Sequence, residues 1–375
     1  MKILYLVTKS EAGGAQTHIY QLSKYFIEKG NKVAIMSYPG GWLEEEAKKL
    51  GVKFYPNKYF SNIPDPIRIL RAMKKIRQMV NDFKPDLIGC HSTAAGFLGR
   101  MTIRNKIPTT FTAHGWAFTE GAPFLRKCLA ILIEKIAGKF CSKIICVSDS
   151  DRNLALKYKI VSKEKVITIH NGVEISINQF TPLDTKLSNG ANQRKSAFIK
   201  IVFVGRLAQP KDPLLLLESF NSLSFELKDR TQISIIGEGP KRKELEKFIK
   251  ENRLEEKVKL LGSISREKVF EVLKNSDIFV LISNWEGFPY TIIEAMSFGL
   301  AIIASEVGGI KEAVNESCGI LIKRGDKEGI KNALGRLLKN PSLIKEMGER
   351  GKEKVKEEFS LEKMLRETEK VYKSV

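Results

Sequence analysis

Short apolar runs alternate with longer amphipathic segments along the whole chain. Each run has the length of a buried strand, and none approaches the length needed to span a bilayer. Strands that alternate with helices form parallel sheets with helices on both faces. The pattern therefore predicts an α/β fold with two doubly wound, Rossmann-like domains. The predicted strands are 3–7, 32–36, 52–54, 86–90, 109–112, 143–147, 201–204, 233–236, 258–261, 278–282, 301–304 and 319–322.

A polar stretch without periodicity, residues 181–200, separates the two series of strands. Such a stretch is typical of an interdomain linker. We therefore predict an N-terminal domain over 1–180 and a C-terminal domain over 201–359. The charged tail is predicted to be helical, with a new helix that starts at Ser360.

Two helices of the first domain carry basic residues beside an apolar stripe. In the helix predicted over 67–80, the stripe consists of Leu70, Met73, Ile76 and Val80. In the helix predicted over 124–140, we expect the apolar stripe to face the core, surrounded by Arg126, Lys127, Lys135 and Lys139. Two interpretations stay open: surface helices with solvated basic faces, or helices that contact an anionic membrane surface.

The charge is distributed unevenly along the chain. Residues 1–200 contribute +17 to the formal net charge of +20, and residues 201–375 contribute only +3. The first half is therefore expected to meet an anionic partner, such as nucleic acid, a phospholipid surface or a phosphate-bearing acceptor. The sequence has no recognisable nucleic-acid reader module and no interleaving of aromatic and basic residues, which argues against nucleic acid.

The cysteines and the N-terminus indicate a compartment. Five cysteines without a CxxC pair argue for a reducing environment and against a disulfide framework or a zinc site. The first residues, MKILYLVTKS, are typical of a first strand, because their apolar run is too short for a signal peptide. We therefore expect a cytoplasmic protein.

The stretch SNWEGFPYTIIEAMSFG follows the strand predicted over 278–282 and holds two acids. Glu286 lies in a loop, and Glu294 lies about one turn inside a helix that begins near Tyr290 and stops at Gly299. Helix N-termini after strands bind phosphates, and carboxylates accept hydrogen bonds from hydroxyls. Because a sugar nucleotide supplies both groups, the stretch predicts a sugar-nucleotide site.

Two loops at predicted strand ends add candidates for binding phosphate. Arg206 and Lys211 follow the first strand of the second domain, where they would place two cations in a ligand crevice. Gly13 and Gly14 follow the first strand of the chain and would offer backbone amides to an anion. Each feature also fits an ordinary surface loop or turn.

Histidines and one acidic triplet complete the candidates. His114 follows a strand, which favours a role in the crevice; His91 is a weaker candidate, and His170 is interpreted as structural. The triplet DSD at 149–151 resembles a metal motif, but Ser148 with the acids behind it also fits a helix N-cap, which we favour.

Taken together, these motifs resemble the family-4 glycosyltransferases, which are retaining enzymes of the GT-B fold, with two Rossmann-like domains that face a central cleft. The matching motifs, in order, are GGAQTH, TAHGW, CVSDSDR, IHNGVE, VGRLAQPKDP, IIGEGP and EGFPYTIIE, the last being the family's E-x7-E pattern. One departure is Asp212, which stands where a glycine often follows the lysine. The resemblance covers nearly the whole chain.

The resemblance implies a role for each candidate residue. Arg206 and Lys211 would bind the donor diphosphate together with the amides of Gly13 and Gly14. Glu294 would bind the ribose, and His114 would lie beside the donor sugar. The sugar and its phosphates would also meet Glu286, Gly287, Phe288 and Pro289. The base would contact the backbone near Gly237 and Ile264, Gln16 would face the acceptor, and the last helix, 360–375, would return to the first domain.

The resemblance also implies the reaction and its partners. A glycosyl group would move with retention from a nucleoside diphosphate sugar, expected to be a UDP-sugar, to a hydroxyl of a glycan or of a polyprenyl-diphosphate-linked sugar. No metal or other cofactor is expected, because Arg206 and Lys211 would balance the charge of the leaving diphosphate. A sugar-nucleotide epimerase of the same architecture and a sugar-nucleotide-binding protein without catalysis remain alternatives.

Overall fold

The computed structural model describes residues 1–60, 65–119, 123–174 and 198–375. The chain forms two compact units. Unit 1 comprises Met1–Asn171, Gly287–Pro289 and Glu362–Val375, and unit 2 comprises Gly172–Glu286 and Tyr290–Leu361. Most of the linker predicted over 181–200, and the predicted domain boundary at residue 180, lie outside the described residues.

Unit 1 is built on a seven-stranded parallel sheet of order β3-β2-β1-β4-β5-β6-β7. Its strands β1 to β7 are Lys2–Leu6, Lys32–Ser37, Lys53–Pro56, Leu87–His91, Thr109–Ala113, Lys143–Cys146 and Val166–Thr168. The prediction included the first six with small shifts at their ends and missed β7. Helices α1 to α6 of this unit are Gly14–Glu28, Trp42–Lys49, Pro66–Phe83, Thr93–Ile103, Phe124–Gly138 and Asp149–Lys157.

Unit 2 is built on a six-stranded parallel sheet of order β10-β9-β8-β11-β12-β13. Its strands β8 to β13 are Ile199–Val204, Thr231–Ile236, Val258–Gly262, Ile278–Leu281, Ala301–Ser305 and Gly319–Ile322, all of which were predicted. Helices α7 to α14 are Pro213–Asn221, Phe225–Asp229, Arg242–Glu251, Arg266–Lys274, Tyr290–Ser297, Ile310–Ala313, Lys327–Lys339 and Pro341–Glu358.

The last helix, α15 (Leu361–Lys373), packs in unit 1 almost over its whole length. It starts one residue after the predicted position, Ser360. Tyr372 is buried and stacks on Phe26 of α1, with ring centroids 5.4 Å apart. Tyr25 of α1 and Lys29, the C-cap of this helix, both donate to the Glu369 carboxylate, at 2.6 and 2.7 Å. Aromatic and ionic contacts thus fix the C-terminal helix to the first sheet's layer of helices.

The order of strands reverses once in each sheet. The reversal lies between β1 and β4 in unit 1 and between β8 and β11 in unit 2. Adjacent crossover helices leave such a point on opposite faces of the sheet, which opens a crevice at the carboxyl ends of the strands. The loops after these strands are therefore the natural places for ligands, one in each unit.

The apolar stripe of α5 does not face the core, and this part of the prediction was wrong. Its large apolar side chains point outward: Phe124 is 77% exposed and Leu125 81%, and Leu129, Leu132 and Ile136 are also exposed. The buried face instead consists of Ala130, Glu134, Ala137 and Gly138. Small residues let the helix lie close to its neighbours, so the apolar pattern does not identify the inner face.

A buried ion pair explains how a carboxylate can belong to this inner face. Glu134 of α5 accepts a 2.8 Å hydrogen bond from Arg100 of α4, and both side chains are almost fully buried. The Arg100 guanidinium also lies 4.1 Å from the centroid of the Phe111 ring. Breaking such a pair leaves an uncompensated charge in the interior, so α5 is held in this orientation.

The stripe predicted for α3 is also rotated. Ala72, Ile76 and Met79 are buried, whereas Leu70 is 68% exposed. Of the four stripe residues, only Ile76 is therefore fully in the core. Among the described residues, no helix is both long and apolar enough to cross a membrane.

Candidate functional site

The loop after β8 brings one of the predicted cations to a predicted acid in unit 2. Lys211 Nζ lies 2.5 Å from Glu286 Oε1. Ser283 Oγ donates to the same carboxylate oxygen at 2.7 Å. The loops are joined by the backbone as well, because the Asp212 N–H donates to the Ile282 carbonyl at 2.8 Å. The sheet's reversal point thus places Lys211 and Glu286 in direct contact.

Close backbone packing leaves little freedom around this pair. A Cβ added to Gly205 would meet the Lys211 side chain at 2.5 Å, and one added to Gly308 would overlap the Glu286 carbonyl oxygen. Gly308 also has a positive φ of 51°. Only glycine fits at position 308, because any side chain there would displace the Glu286 backbone.

Arg206, the second predicted cation, is exposed and differs from Lys211 in its surroundings. Its guanidinium makes only a long contact, 3.5 Å, with the Gln209 carbonyl oxygen. Within the described part of the chain it has no carboxylate partner. An arginine without an anion at a sheet's reversal point is available to bind phosphate oxygens through its fork of N–H donors.

Glu294 lies on the first turns of α11 and is buried. Arg266, at the start of α10, donates to Glu294 Oε1 at 2.7 Å. Burial raises the pKa of Glu294, and the Arg266 guanidinium opposes that effect. Arg266 was not predicted from the sequence. It follows Ser265, an N-cap whose hydroxyl accepts from the Lys268 amide, and that capping position was the only signal of where α10 begins.

The backbone predicted to meet the base lies at the ends of β9 and β10. Gly237 follows β9 with a φ of 137°, and a Cβ there would overlap the Gly205 carbonyl oxygen. The Gly237 amide donates to the Gly262 carbonyl at 2.8 Å. Ile264 is partly exposed just after β10. The glycines pack the three loops tightly, so the backbone in this part of unit 2 is closely constrained.

In unit 1, the glycine turn after β1 opens α1. Gly13 is the N-cap of this helix and has an extended backbone without a side-chain cap. Gly13 and Gly14 are exposed, so their backbone is accessible to an anion. The Gln16 side chain donates to the Lys9 carbonyl at 2.8 Å. This bond orients Gln16 over the loop rather than away from it.

Three histidines lie together in unit 1. His91 Nδ1 is 3.0 Å from His114 Nε2, and the ring centroids of His18 and His114 are 5.0 Å apart. His18 and His91 are fully buried, and His114 is partly exposed. Burial lowers the pKa of His18 to about 4, and burial together with the neighbouring rings lowers the pKa values of His91 and His114 well below the usual 6.5.

The segment Gly287–Pro289 also belongs to unit 1. A Cβ added to Gly287 would lie 2.9 Å from the His114 carbonyl oxygen, so the two backbones are in contact. The Asn171 side chain donates to the Phe288 carbonyl at 2.7 Å. Phe288 is buried, and its ring packs 4.8 Å from that of His170. The segment is therefore held beside His114.

The sequence predicted only part of this cluster. His91 was a weak candidate and His18 was not a candidate, although His18 belongs to the quoted motif GGAQTH and lies one turn into α1. The spacing along the chain gave no sign that the three rings would meet. The capping interpretation of the triplet 149–151 is confirmed, because the Ser148 hydroxyl accepts from the Asp151 amide at 3.1 Å.

Comparisons with known proteins assign the family. The family model described as Glycosyltransferase Family 4 matches residues 12–177, and the model described as glycosyl transferases group 1 matches residues 185–354. One subunit of the human phosphatidylinositol N-acetylglucosaminyltransferase is 30% identical over 97% of this chain and 73% of that protein. The chain belongs to the family-4 glycosyltransferases. It is a glycosyltransferase, as the motifs predicted.

Other relatives of this glycosyltransferase agree. An Escherichia coli protein named UDP-Gal:alpha-D-GlcNAc-diphosphoundecaprenol alpha-1,3-galactosyltransferase is 28% identical over 82% of this chain and 80% of its own. Among solved structures, Anabaena Alr3699/HepE in complex with UDP-glucose superposes with a TM-score of 0.83 at 19% identity, covering both chains fully. That likeness confirms the predicted GT-B fold.

Proposed function

We propose that this glycosyltransferase transfers a sugar with retention from a UDP-sugar to a hydroxyl of a lipid-diphosphate-linked glycan, without a metal ion. The observation that carries the donor half is the set of residues at the reversal point of the second sheet. There the exposed Arg206 and the pair Lys211–Glu286 lie beside a helix that carries a buried acid, Glu294. Named relatives that use UDP-galactose or were crystallised with UDP-glucose support a UDP-sugar.

Negative charge grows on the leaving diphosphate as the bond between the sugar's C1 and the phosphate oxygen breaks. Arg206 and Lys211 stabilise that charge in the transition state more than in the ground state, which is the role a metal ion has in other transferases. The acceptor oxygen forms the new bond to C1 on the same face, and its proton goes to the leaving phosphate oxygen. Bonds and protons therefore balance without a protein nucleophile.

The two acids, Glu294 and Glu286, bind different parts of the donor. Glu294, with its carboxylate paired to Arg266 at 2.7 Å, accepts hydrogen bonds from the ribose hydroxyls. Glu286, held by Lys211 and Ser283, contacts the donor sugar. A carboxylate held by two donors has a fixed direction for its remaining lone pairs, which favours recognition of one arrangement of sugar hydroxyls.

A panel of donors tests this function. UDP-, GDP-, ADP- and dTDP-sugars are compared by the thermal stabilisation of the protein and by slow hydrolysis of the donor. A bound donor stabilises the native state in proportion to RT ln(1 + [L]/Kd), so we expect one UDP-sugar to raise the melting temperature most. Stabilisation by none of the four nucleotide classes, or an unchanged response in Arg206→Ala, contradicts the proposal.

The acceptor side is proposed to lie at an anionic membrane on the cytoplasmic face. The exposed apolar residues of α5 include Phe124, Leu125 and Leu129, and the same helix carries Arg126, Lys127 and Lys135. Such a face buries apolar side chains between lipid headgroups while its cations meet their phosphates. A lipid-linked acceptor is presented at that surface, which fits the excess charge of residues 1–200.

Vesicle sedimentation tests the membrane contact. Vesicles with and without anionic phospholipid are compared, and we expect binding only to the anionic ones, weakening as salt rises. Leu125→Glu should reduce the bound fraction strongly. The matched control is Phe225→Glu in unit 2, a residue that is also 81% exposed and lies outside this helix. Equal losses in the two variants, or no binding at low salt, would contradict the contact.

A further inference from the structure

His114 is the one member of the histidine cluster that combines a buried contact with partial exposure. Its Nε2 faces His91 at 3.0 Å. No hydrogen bond joins its Nδ1 to another described residue, and His114 as a whole is partly exposed. What His114 offers to a ligand therefore depends on which of its two nitrogens holds the proton.

At the neighbouring His18, the hydrogen-bond partner determines which of the two ring nitrogens holds the proton. The Asn171 amide nitrogen donates to the Phe288 carbonyl at 2.7 Å, which leaves the Asn171 oxygen to face His18 Nδ1 at 3.2 Å. An amide oxygen only accepts hydrogen bonds. His18 must therefore hold its proton on Nδ1, and the Asn171 side chain sets that state.

The same reasoning applies to His91, where a buried nitrogen without a hydrogen-bond partner determines which nitrogen holds the proton. His91 Nε2 is buried and has no hydrogen-bond partner among the described residues. A proton there would leave an unpaired N–H in the interior, and orphaned buried N–H groups are rarer in proteins than under-satisfied acceptors. The favoured state has the proton on His91 Nδ1, which then donates to His114 Nε2.

We propose that His91 is a positioning residue that holds His114 in the neutral form protonated on Nδ1, so that Nδ1–H donates a hydrogen bond to an oxygen of the glycosyl donor. This inference rests on the proposed function and on the family resemblance, which implies that His114 lies beside the donor sugar. It gives His91 a role through His114 and not through the substrate. It also means that His114 acts as a neutral donor, with no lone pair on Nδ1 to accept the acceptor's proton.

The burial of the cluster supports a neutral state. The ring centroids lie 5.0 to 5.6 Å apart, with one pair stacked, one edge-on and one tilted, so a positive charge on one ring would disfavour protonation of the other two. A neutral imidazole has one donor and one acceptor, and the tautomer is then set by the partner of the other nitrogen. His91 is that partner for His114.

Nitrogen-15 NMR of the imidazoles tests the assignment without any ligand. The chain has four histidines, so single substitutions assign each ring. At pH 7.5 we expect His114 to show a protonated Nδ1 and an unprotonated, hydrogen-bonded Nε2, and His91 to show a protonated Nδ1. A protonated Nε2 on His114 in the unmodified protein would overturn the proposal.

Two variants of His91 test the consequence for activity. Asn places an amide near the position of the imidazole Nδ1 and can donate to His114, whereas Phe keeps the ring's shape and cannot. We expect His91→Phe to lower kcat about 10- to 100-fold, because the hydrogen bond from His114 to the donor is no longer oriented, and His91→Asn to restore most of it. UDP binding should change by less than about threefold in both.

A control separates positioning from lost stability. Thr368→Val removes a buried hydroxyl that donates to the Met364 carbonyl in α15, a helix that contributes no histidine to the cluster. If this variant loses as much thermal stability as His91→Phe but keeps kcat, loss of stability alone does not explain the effect of His91. Equal kcat in His91→Phe and His91→Asn contradicts the positioning role. Should the enzyme prove inactive with every donor, the proposed function fails, yet the NMR result still decides the tautomer.

Discussion

The two reversal points of this molecule use different chemistry. In unit 2, each of the two candidate acids forms an ion pair: Glu286 with Lys211 and Glu294 with Arg266. In unit 1, the corresponding edge holds three histidines whose pKa values are lowered by burial, so no formal charge is present among them near neutral pH. One edge is suited to charged phosphates, and the other to directed hydrogen bonds.

The difference suggests how one fold divides a reaction. Ion pairs in a partly open loop exchange partners when an anionic ligand arrives, because the ligand replaces one charge by another. A buried neutral cluster does not exchange, and it holds a donor in one direction at little reorganisation cost. In the proposed mechanism, the ion-paired residues of unit 2 bind the donor and stabilise the leaving group, and the histidines of unit 1 provide an oriented hydrogen bond.

The largest effect we expect is on stability and concerns the buried ion pair of Arg100 and Glu134 in unit 1, which lies outside the reversal point of the sheet. Glu134→Ala leaves Arg100 buried without its partner and should lower the free energy of unfolding by about 3–5 kcal/mol. Replacing both by Met and Leu should cost much less, because no uncompensated charge remains. Thermal or urea unfolding measures both. Equal losses in the single and double variants would contradict the account of how α5 is oriented.

The next effect concerns turnover and the carboxylate of Glu286 in unit 2. Glu286→Ala removes the partner of Lys211 and the donor-sugar contact, and we expect kcat to fall about 10²- to 10³-fold with a small change in KM for the donor. Glu246→Ala is the matched control, since Glu246 pairs with Arg242 on an exposed part of α9. A large rise in KM at constant kcat would reverse the roles assigned to Glu286 and Glu294.

A third prediction concerns the stability of the folded protein at acid pH and the buried His18 of unit 1. The pKa of His18 is about 4 in the folded protein against the ordinary 6.5. The unfolded chain therefore binds a proton that the folded one does not, so stability present above pH 6.5 is lost as the pH falls towards 4, by about 3 kcal/mol. Melting temperatures measured between pH 7.5 and 4.5 should show this loss, and His18→Asn should make it smaller. An equally steep curve in the variant would assign the loss to other groups.

The smallest effect concerns affinity for the nucleotide. Arg266→Met leaves the buried Glu294 without its cation, so its pKa rises further and its acceptor strength falls. We expect the donor KM to rise about 10-fold at pH 7, and less at higher pH, where the carboxyl ionises again. Arg266→Lys should recover part of the loss. A KM independent of pH in Arg266→Met would show that Arg266 does not act through Glu294.

Much of the fold was predictable because parallel strands buried on both faces are continuous apolar runs, as in β11 and β12, whose residues are all buried. β7 was missed because its three residues are mixed in burial. The orientation of α5 could not be predicted, because it depends on the contact between Arg100 and Glu134, which are 34 residues apart.

The candidate site was also only partly predictable from the sequence. Glu286, Glu294 and Lys211 were identified because each lies at a strand end or helix start, positions that local pattern predicts. Arg266 was not, since its contact with Glu294 joins two different helices. The cluster of His18, His91 and His114 likewise arises from three separate elements, and only the folded sheet brings them together.

Calorimetric titration with UDP tests the central claim most directly, because it measures nucleotide binding without requiring the acceptor. The account predicts that the unmodified protein binds UDP, that Glu294→Ala weakens binding at least about 10-fold, and that Glu286→Ala changes it less than about threefold. UDP binding that is equally strong in Glu294→Ala and the unmodified protein would contradict the assignment of the ribose contact. No UDP binding by the unmodified protein would contradict the proposed donor.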